Sequence, residues 1–146
     1  MSISWSPFKR RKPAPVLVGR IVHVGLPELG IEDVNAKVDT GAFSGALHAT
    51  DIQERTKADG TTVLRFKAAN CRKTTQLSTY TIRRVKSSNG VVSQRYGIDT
   101  VVRIKGRDYP LHITLTDRSD IKYQVLIGRK FLRSHGFLVD VSKSKT

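Results

Sequence analysis

Val34-Asn35-Ala36-Lys37-Val38-Asp39-Thr40-Gly41-Ala42 is the stretch whose reading decides the fold. Val34, Ala36 and Val38 alternate with Asn35, Lys37 and Asp39, which is the period of a half-buried strand. The strand ends on a carboxylate, and a hydroxyl and a glycine follow at once. Val38 would anchor this end in a core, and the Thr40 hydroxyl can lock the loop. Gly41 lets the backbone turn tightly beside the carboxylate, and Ala42 keeps the space small. Ordinary turns use the same residue types, so the loop gains meaning only from its company. That company is Val125-Leu126-Ile127-Gly128-Arg129, an apolar strand running into a glycine. A short helix over Arg129 to Ser134 follows, Gly136 ends it, and a return strand is expected from Phe137 to Val141.

Outward from these two elements the texture is that of short strands. Val16 to Val24, Thr62 to Ala68 and Thr79 to Lys86 are rich in β-branched residues. Asp59-Gly60 and Asn89-Gly90 lie between strand-like runs and predict hairpin tips, and Gly106-Arg107 is expected to turn a third between Thr100–Lys105 and Tyr109–Leu115. Ala69 to Ser78 is polar and predicts an irregular loop. About eight short strands, glycine turns and one late helix predict an all-β fold, a small closed β-barrel with one short C-terminal helix. Residues 1–15 are expected to form a flexible basic arm, 16–142 the folded domain and 143–146 a flexible tail.

The chain has 146 residues, enough for one domain that buries a core without a metal or disulfide staple. A single cysteine, Cys71, excludes an internal disulfide and a multi-cysteine zinc site, which makes a reducing cytoplasm the expected compartment. No apolar run follows Lys9-Arg10-Arg11-Lys12 that could act as a signal core or membrane span. The formal net charge is +14, and taking away the six cations of the two ends (Lys9 to Lys12, Lys143 and Lys145) leaves +8 on the body. A field of that sign favours polyanionic partners: nucleic acid, ribosomal RNA, anionic lipid or acidic peptide.

The ordered elements, an Asp-Thr-Gly loop, an apolar-apolar-Gly strand crossing it and a late helix, resemble those of retropepsins, the small aspartic peptidases typified by retroviral proteases. A narrower resemblance covers roughly residues 16–142. Asp39-Thr40-Gly41-Ala42 running on to Ala46-Leu47-His48-Ala49, then Ser87-Ser88-Asn89-Gly90, Leu115-Thr116-Asp117-Arg118-Ser119, Val125–Arg129 and Val139-Asp140-Val141, together resemble the bacterial RimB-like family. The resemblance implies a retropepsin-type barrel and cleavage of glutamate-rich tails, such as those a ligase adds to a small-subunit ribosomal protein, with possible ribosome association.

Peptide hydrolysis by carboxylates needs two aspartates close enough to share a proton. No second Asp-Thr-Gly or Asp-Ser-Gly exists, and Asp99-Thr100-Val101 lacks the glycine. The expected unit is therefore a C2 homodimer in which the two Asp39 carboxylates meet at the axis and Thr40 hydroxyls bond across to the opposite loop. Asp39, Thr40 and Gly41 are the expected catalytic loop. Ala42, Ile127, Gly128 and Arg129 are expected to line the substrate site. Among Arg65, Arg83, Arg84, Arg95, Arg118 and Lys122, the expected carboxylate clamps are Arg95 and Arg118, because arginine holds a carboxylate bidentately. Either the Asp59-Gly60 or the Asn89-Gly90 hairpin would serve as a flap.

Members of the resembling family are often labelled ATP-dependent zinc proteases, but neither a P-loop nor a His-Glu-x-x-His cluster is present, so no cofactor or metal is expected. His23, His48, His112 and His135 are scattered singly; His48, nine residues after Asp39, is the one that could approach a cleft. Two departures stand out. Gly45 replaces a side chain usual before Ala-Leu-His-Ala, which would loosen the strand leaving the loop. Phe43 stands where viral retropepsins place an acidic partner for the arginine of their Gly-Arg segment, so Arg129 needs another partner or contacts substrate. The competing reading is a non-enzymatic basic module that binds ribosomal RNA or another nucleic acid, and a further one is an inactive retropepsin fold used for dimerisation.

Overall fold

The computed structural model describes residues 14–118 and 122–146, so most of the expected N-terminal arm and Ser119 lie outside the described residues. The first strands are β1 (Val16–Val18), β2 (Ile21–Leu26), β3 (Ile31–Asp39) and β4 (Gly45–Thr56), with a single 3-10 turn at Pro27–Leu29 between β2 and β3. β5 (Thr62–Ala68), β6 (Thr75–Leu77), β7 (Thr81–Lys86), β8 (Val92–Ile104) and β9 (Arg107–Thr116) follow. The chain then forms β10 (Val125–Gly128), helix α1 (Arg129–Ser134) and β11 (Phe137–Val139).

β10 closes the fold. It pairs in parallel with β3, from Val125 opposite Ala36 to Gly128 opposite Asp39, and antiparallel with β4 through Val125–Leu47 and Leu126–Ala46. The neighbours then run β10-β3-β2-β8-β9-β4 and back to β10, a closed six-stranded barrel. Strands buried on one face alternate inward and outward, and this alternation fills the interior with Ala36, Leu47, Ile98, Ile113 and Val125, none of which keeps any exposed surface. A side chain of valine, leucine or isoleucine buried in this way contributes about 1.5–3 kcal/mol. β4 outruns the barrel. At Asp51, which has φ +53, its register against β5 slips, and beyond that bulge it pairs with β5, which in turn carries β6. Among the described residues β7 pairs with β8 alone, so the two form an arm off the barrel wall. Helix α1 caps one end by burying Phe131 and Leu132, and Phe131 packs with Tyr109 and Phe137 at ring separations of 6.0 and 5.5 Å.

Several local expectations shift. The run Val16 to Val24 divides at Gly19-Arg20, because a Cβ at Gly19 would lie 2.8 Å from the Lys143 carbonyl oxygen, where the end of the chain crosses. The residues read as a flexible tail are paired with β2. Arg20 and Ile21 donate to the carbonyls of Lys143 and Ser144 at 2.9 and 3.1 Å, and Thr146 donates to Ile21 and accepts from His23 at 2.9 and 3.1 Å. The segment Ala69 to Ser78 holds strand β6 instead of being irregular throughout. The third hairpin turns on Lys105-Gly106, with φ of +51 and +77, one residue earlier than expected. The Asp59-Gly60 and Asn89-Gly90 tips stand where the sequence puts them, each glycine at positive φ.

Candidate active site

Asp39 is the last residue of β3 and lies opposite Gly128, the last residue of β10, in parallel register. The chain then leaves the sheet, loops over the end of β10 and re-enters as β4 on its other side. Inside the loop the Gly41 N–H donates to Asp39 Oδ1 at 3.0 Å, and the Ala42 N–H donates to the Asp39 carbonyl at 3.3 Å. One carboxylate oxygen is thereby fixed by its own loop. A Cβ at Gly41 would sit 3.2 Å from that same oxygen, so glycine here keeps the carboxylate uncrowded.

The loop is fastened to the helix that follows β10. The N–H groups of Arg129 and Lys130 donate to the carbonyls of Ala42 and Phe43 at 2.8 and 3.1 Å, which satisfies two of the orphan donors of the helix start. Arg129 Nη1 donates to the Gly41 carbonyl at 3.1 Å, and its guanidinium lies 5.3 Å from the centre of the Phe43 ring. Phe43 and Gly41 are thus the partners that Arg129 lacks an acid for. Two glycines make the crossing possible. A Cβ on Gly128 would lie 2.7 Å from both the Phe43 oxygen and the Ser44 carbonyl carbon, and one on Gly45 would lie 2.5 Å from the Leu126 oxygen. Gly45 tightens the strand leaving the loop, against the expectation that it loosens it.

This geometry corrects part of the expected substrate site. Ile127 is 1% exposed, its side chain in the barrel core, and Gly128 is covered by the loop backbone, so both are scaffold within the chain. Arg129 is committed to the loop, and Ala42 is half-buried with its carbonyl capping α1. Thr40 is exposed, and among the described residues its hydroxyl has no partner.

Beside the loop a cleft of about 600 Å³ opens between Phe43–Ala46 and the β7–β8 arm. Arg83, Arg95, Arg118 and Lys130 line it, and among the described residues no Asp or Glu does. Arg95 and Arg118, far apart in sequence, are brought to one cavity; Arg84 on the same arm is not among its lining. Among the described residues the buried Arg118 Nε has no hydrogen-bond partner, although the residue as a whole is half-buried. His48 holds this segment in place: its ring is buried, and Nδ1 accepts the Arg118 N–H at 2.7 Å. An N–H must donate, so that nitrogen is unprotonated. The participation of Lys130 has no signature in the sequence beyond residue type, and His48, the histidine expected near a cleft, supports Arg118 from behind and does not line the cavity.

The other histidines are engaged separately. His23 Nδ1 lies 3.2 Å from Asp33, His112 Nδ1 lies 2.7 Å from Asp99, and His135 Nε2 lies 3.1 Å from the Pro110 carbonyl. Among the described residues no group of three or more His, Cys, Asp or Glu could hold a metal ion, so a hydrolytic zinc centre does not fit these side chains. No helix among the described residues is long and apolar enough to cross a membrane.

A closed barrel whose β3 ends on the Asp-Thr-Gly loop, with β10 crossing beneath it and a helix after β10, is the fold of a retropepsin-like protein. The chain belongs to the RimB-like family, described as the retropepsin-like aspartic endopeptidase RimB, which matches residues 17–146. It is 32% identical over 134 residues to a probable alpha-L-glutamate ligase of Shewanella halifaxensis, a match covering 88% of this chain and 29% of the relative. A probable alpha-L-glutamate ligase of Parasynechococcus marenigrum is 28% identical over 79% of this chain and 26% of its own length. The chain therefore spans under a third of these curated relatives. Among solved structures, a Legionella pneumophila protein of unknown function superposes with a TM-score of 0.72 at 24% identity, covering 91% of this chain and 98% of that one; it shares the fold.

Proposed function

We propose that the chain is one half of an aspartic endopeptidase that works as a homodimer and cleaves acidic, glutamate-rich peptide segments. The observation that carries the reading is Asp39 itself, held at the end of β3 by the Gly41 N–H and present in a single such loop per chain. Two loops meeting on a twofold axis would place the Asp39 carboxylates against one another, where like charges at contact cannot both ionise. The ionised member takes a proton from a water held between them, and the protonated member stabilises the oxyanion as that water adds to the peptide carbonyl. The Thr40 hydroxyl, with no partner in its own chain among the described residues, is available to the loop across the axis.

The substrate class is supported by charge. A polyglutamate segment is repelled by the catalytic carboxylates, and a cleft whose ionic lining is Arg83, Arg95, Arg118 and Lys130 offsets that repulsion. The names of the curated relatives point the same way. A glutamate ligase and a peptidase that removes glutamate both have to hold glutamate side chains, and this chain accounts for 29% of such a relative. The β7–β8 arm, which forms one wall of the cleft, is the flap in this reading.

The test is cleavage of a peptide carrying consecutive glutamates by the unmodified chain and by Asp39→Asn, which is nearly isosteric. Cleavage by the unmodified chain and a loss of about a hundredfold or more in the variant are expected, the scale of a general acid–base contribution. Equal cleavage by both would show that Asp39 is not the catalytic group.

A further inference from the structure

The two faces of the β7–β8 arm differ in what meets them: the cleft on one side and Glu54 on the other. Arg83 stands directly opposite Arg95 in the antiparallel register, flanked by Thr81 opposite Gly97 and Val85 opposite Ser93. Successive side chains alternate across a strand, so Arg83 and Arg95 share one face, and both line the cleft. Like charges placed directly across a strand pair destabilise it. Among the described residues no acidic side chain lines the cleft, and neither arginine has an ion-pair or hydrogen-bond partner.

Among the described residues one carboxylate is bonded to the arm, and it is held on the other face. Glu54, near the end of β4, accepts hydrogen bonds from Tyr80 Oη at 2.7 Å and Tyr96 Oη at 3.4 Å. Tyr96 lies opposite Ile82, on the side away from the arginines. The root of the arm is further seated on the barrel by Gly97, where a Cβ would meet Thr81 Oγ1 at 2.5 Å and His112 Nε2 at 2.7 Å. The arm is thus anchored by a tyrosine-bound glutamate behind and by a glycine at its root, while its front face presents two uncompensated guanidiniums side by side.

We propose that Arg83 and Arg95 act together as a two-armed receptor for a single carboxylate side chain of the bound peptide, and so determine selectivity for glutamate over its amide beneath the arm. The assignment rests on the acidic-peptide reading for its role in turnover, but the binding it describes does not require cleavage. A carboxylate between the two cations would satisfy both guanidiniums and remove the like-charge opposition across the strands.

The test is binding of fluorescein-labelled hexaglutamate and hexaglutamine to the full chain carrying Asp39→Asn, followed by anisotropy at fixed ionic strength. Hexaglutamate should bind more tightly than hexaglutamine. Arg83→Gln and Arg95→Gln should each weaken hexaglutamate about tenfold, leave hexaglutamine little changed, and lose together less than the product of the single losses, because they share one ligand. Arg84→Gln is the control: it removes the same charge from the same strand, but Arg84 lies on the other face, opposite Gln94. A loss for Arg84→Gln equal to that for Arg83→Gln would overturn the proposal in favour of a general field, and so would equal affinity for the two peptides. If that selective binding is found while the unmodified chain cleaves no glutamate-rich peptide, the peptidase reading falls and this one stands.

Discussion

Gly128→Ala tests the crossing on which the site is built. The added Cβ would lie 2.7 Å from the Phe43 oxygen, 2.7 Å from the Ser44 carbonyl carbon and 2.9 Å from the Ser44 oxygen, all of them backbone atoms that cannot swing aside as a side-chain tip does. Relief requires the 43–44 backbone to move off β10, and that movement stretches the Arg129 and Lys130 N–H bonds to Ala42 and Phe43, now 2.8 and 3.1 Å. Overpacking of this kind costs about 1–3 kcal/mol, and two weakened hydrogen bonds add about 1, for a total near 2–4 kcal/mol. For a chain of this size the melting temperature should fall by roughly 6–15 °C. Thermal and urea unfolding at matched protein concentration measure it, with Gly136→Ala as the comparison. Gly136 has open space around its missing Cβ and a φ of +70, so its substitution carries only the left-handed backbone penalty, about 1 kcal/mol. If Gly128→Ala unfolds within about 0.5 kcal/mol of the unmodified chain, the tight passage of the loop over β10 is wrong.

Deleting residues 143–146 removes the backbone bonds from Lys143, Ser144 and Thr146 to β2 and the Gly19 N–H bond to Thr146 Oγ1. It should lower stability by about 1–3 kcal/mol in urea, whereas an unchanged midpoint would show the tail to be unattached. The hydrogen bond to Glu54 pushes Tyr80 up from the ordinary 10.0 to about 12. Because the folded value is the raised one, the stability this group contributes is complete below pH 10 and is lost as pH rises through about 12. Burial and Glu54 raise Tyr96 as well, so ultraviolet titration should show Tyr80 and Tyr96 ionising late, with the Tyr80 component lost in Tyr80→Phe; a normal titration of every tyrosine would contradict the contact. Asp140 is held below the ordinary 3.8 by hydrogen bonds from Ser142. Its contribution is therefore present above that value and lost as pH falls through its depressed one, and Asp140→Asn should flatten this part of the acid unfolding curve.

What the sequence shows of this fold depends on where the information resides. Alternation in Val34–Val38 and the apolar run Val125–Ile127 are local patterns, and they place both halves of the site, because a strand that is half in a core must repeat every second residue. Pairing partners are not local. That β10 lies between β3 and β4, and that the chain end lies along β2, is settled by backbone hydrogen bonds that leave no mark on side-chain type. β6 is three residues long in a polar stretch, too short for any period to emerge. The site shows the same division. Asp39 and Gly41 are legible as a loop, and Arg95 and Arg118 as cations on matched or hairpin segments. Register alone decides that Arg83 faces Arg95 while Arg84 faces away. Ile127 and Gly128, legible as part of the motif, are its scaffold, since the same alternation that makes the strand turns Ile127 inward.

The central claim is that one active site takes an Asp39 from each of two chains, and mixing chains tests it most directly. Unmodified chain is held at fixed total concentration with increasing Asp39→Asn chain, the mixture is allowed to exchange subunits, and cleavage of a glutamate-rich peptide is followed. A paired site predicts that activity falls with the square of the unmodified fraction, to about one quarter in an equal mixture, because any pair containing a variant chain is inactive. A linear fall, to about one half, would mean that each chain acts with its own carboxylate alone and would contradict the account.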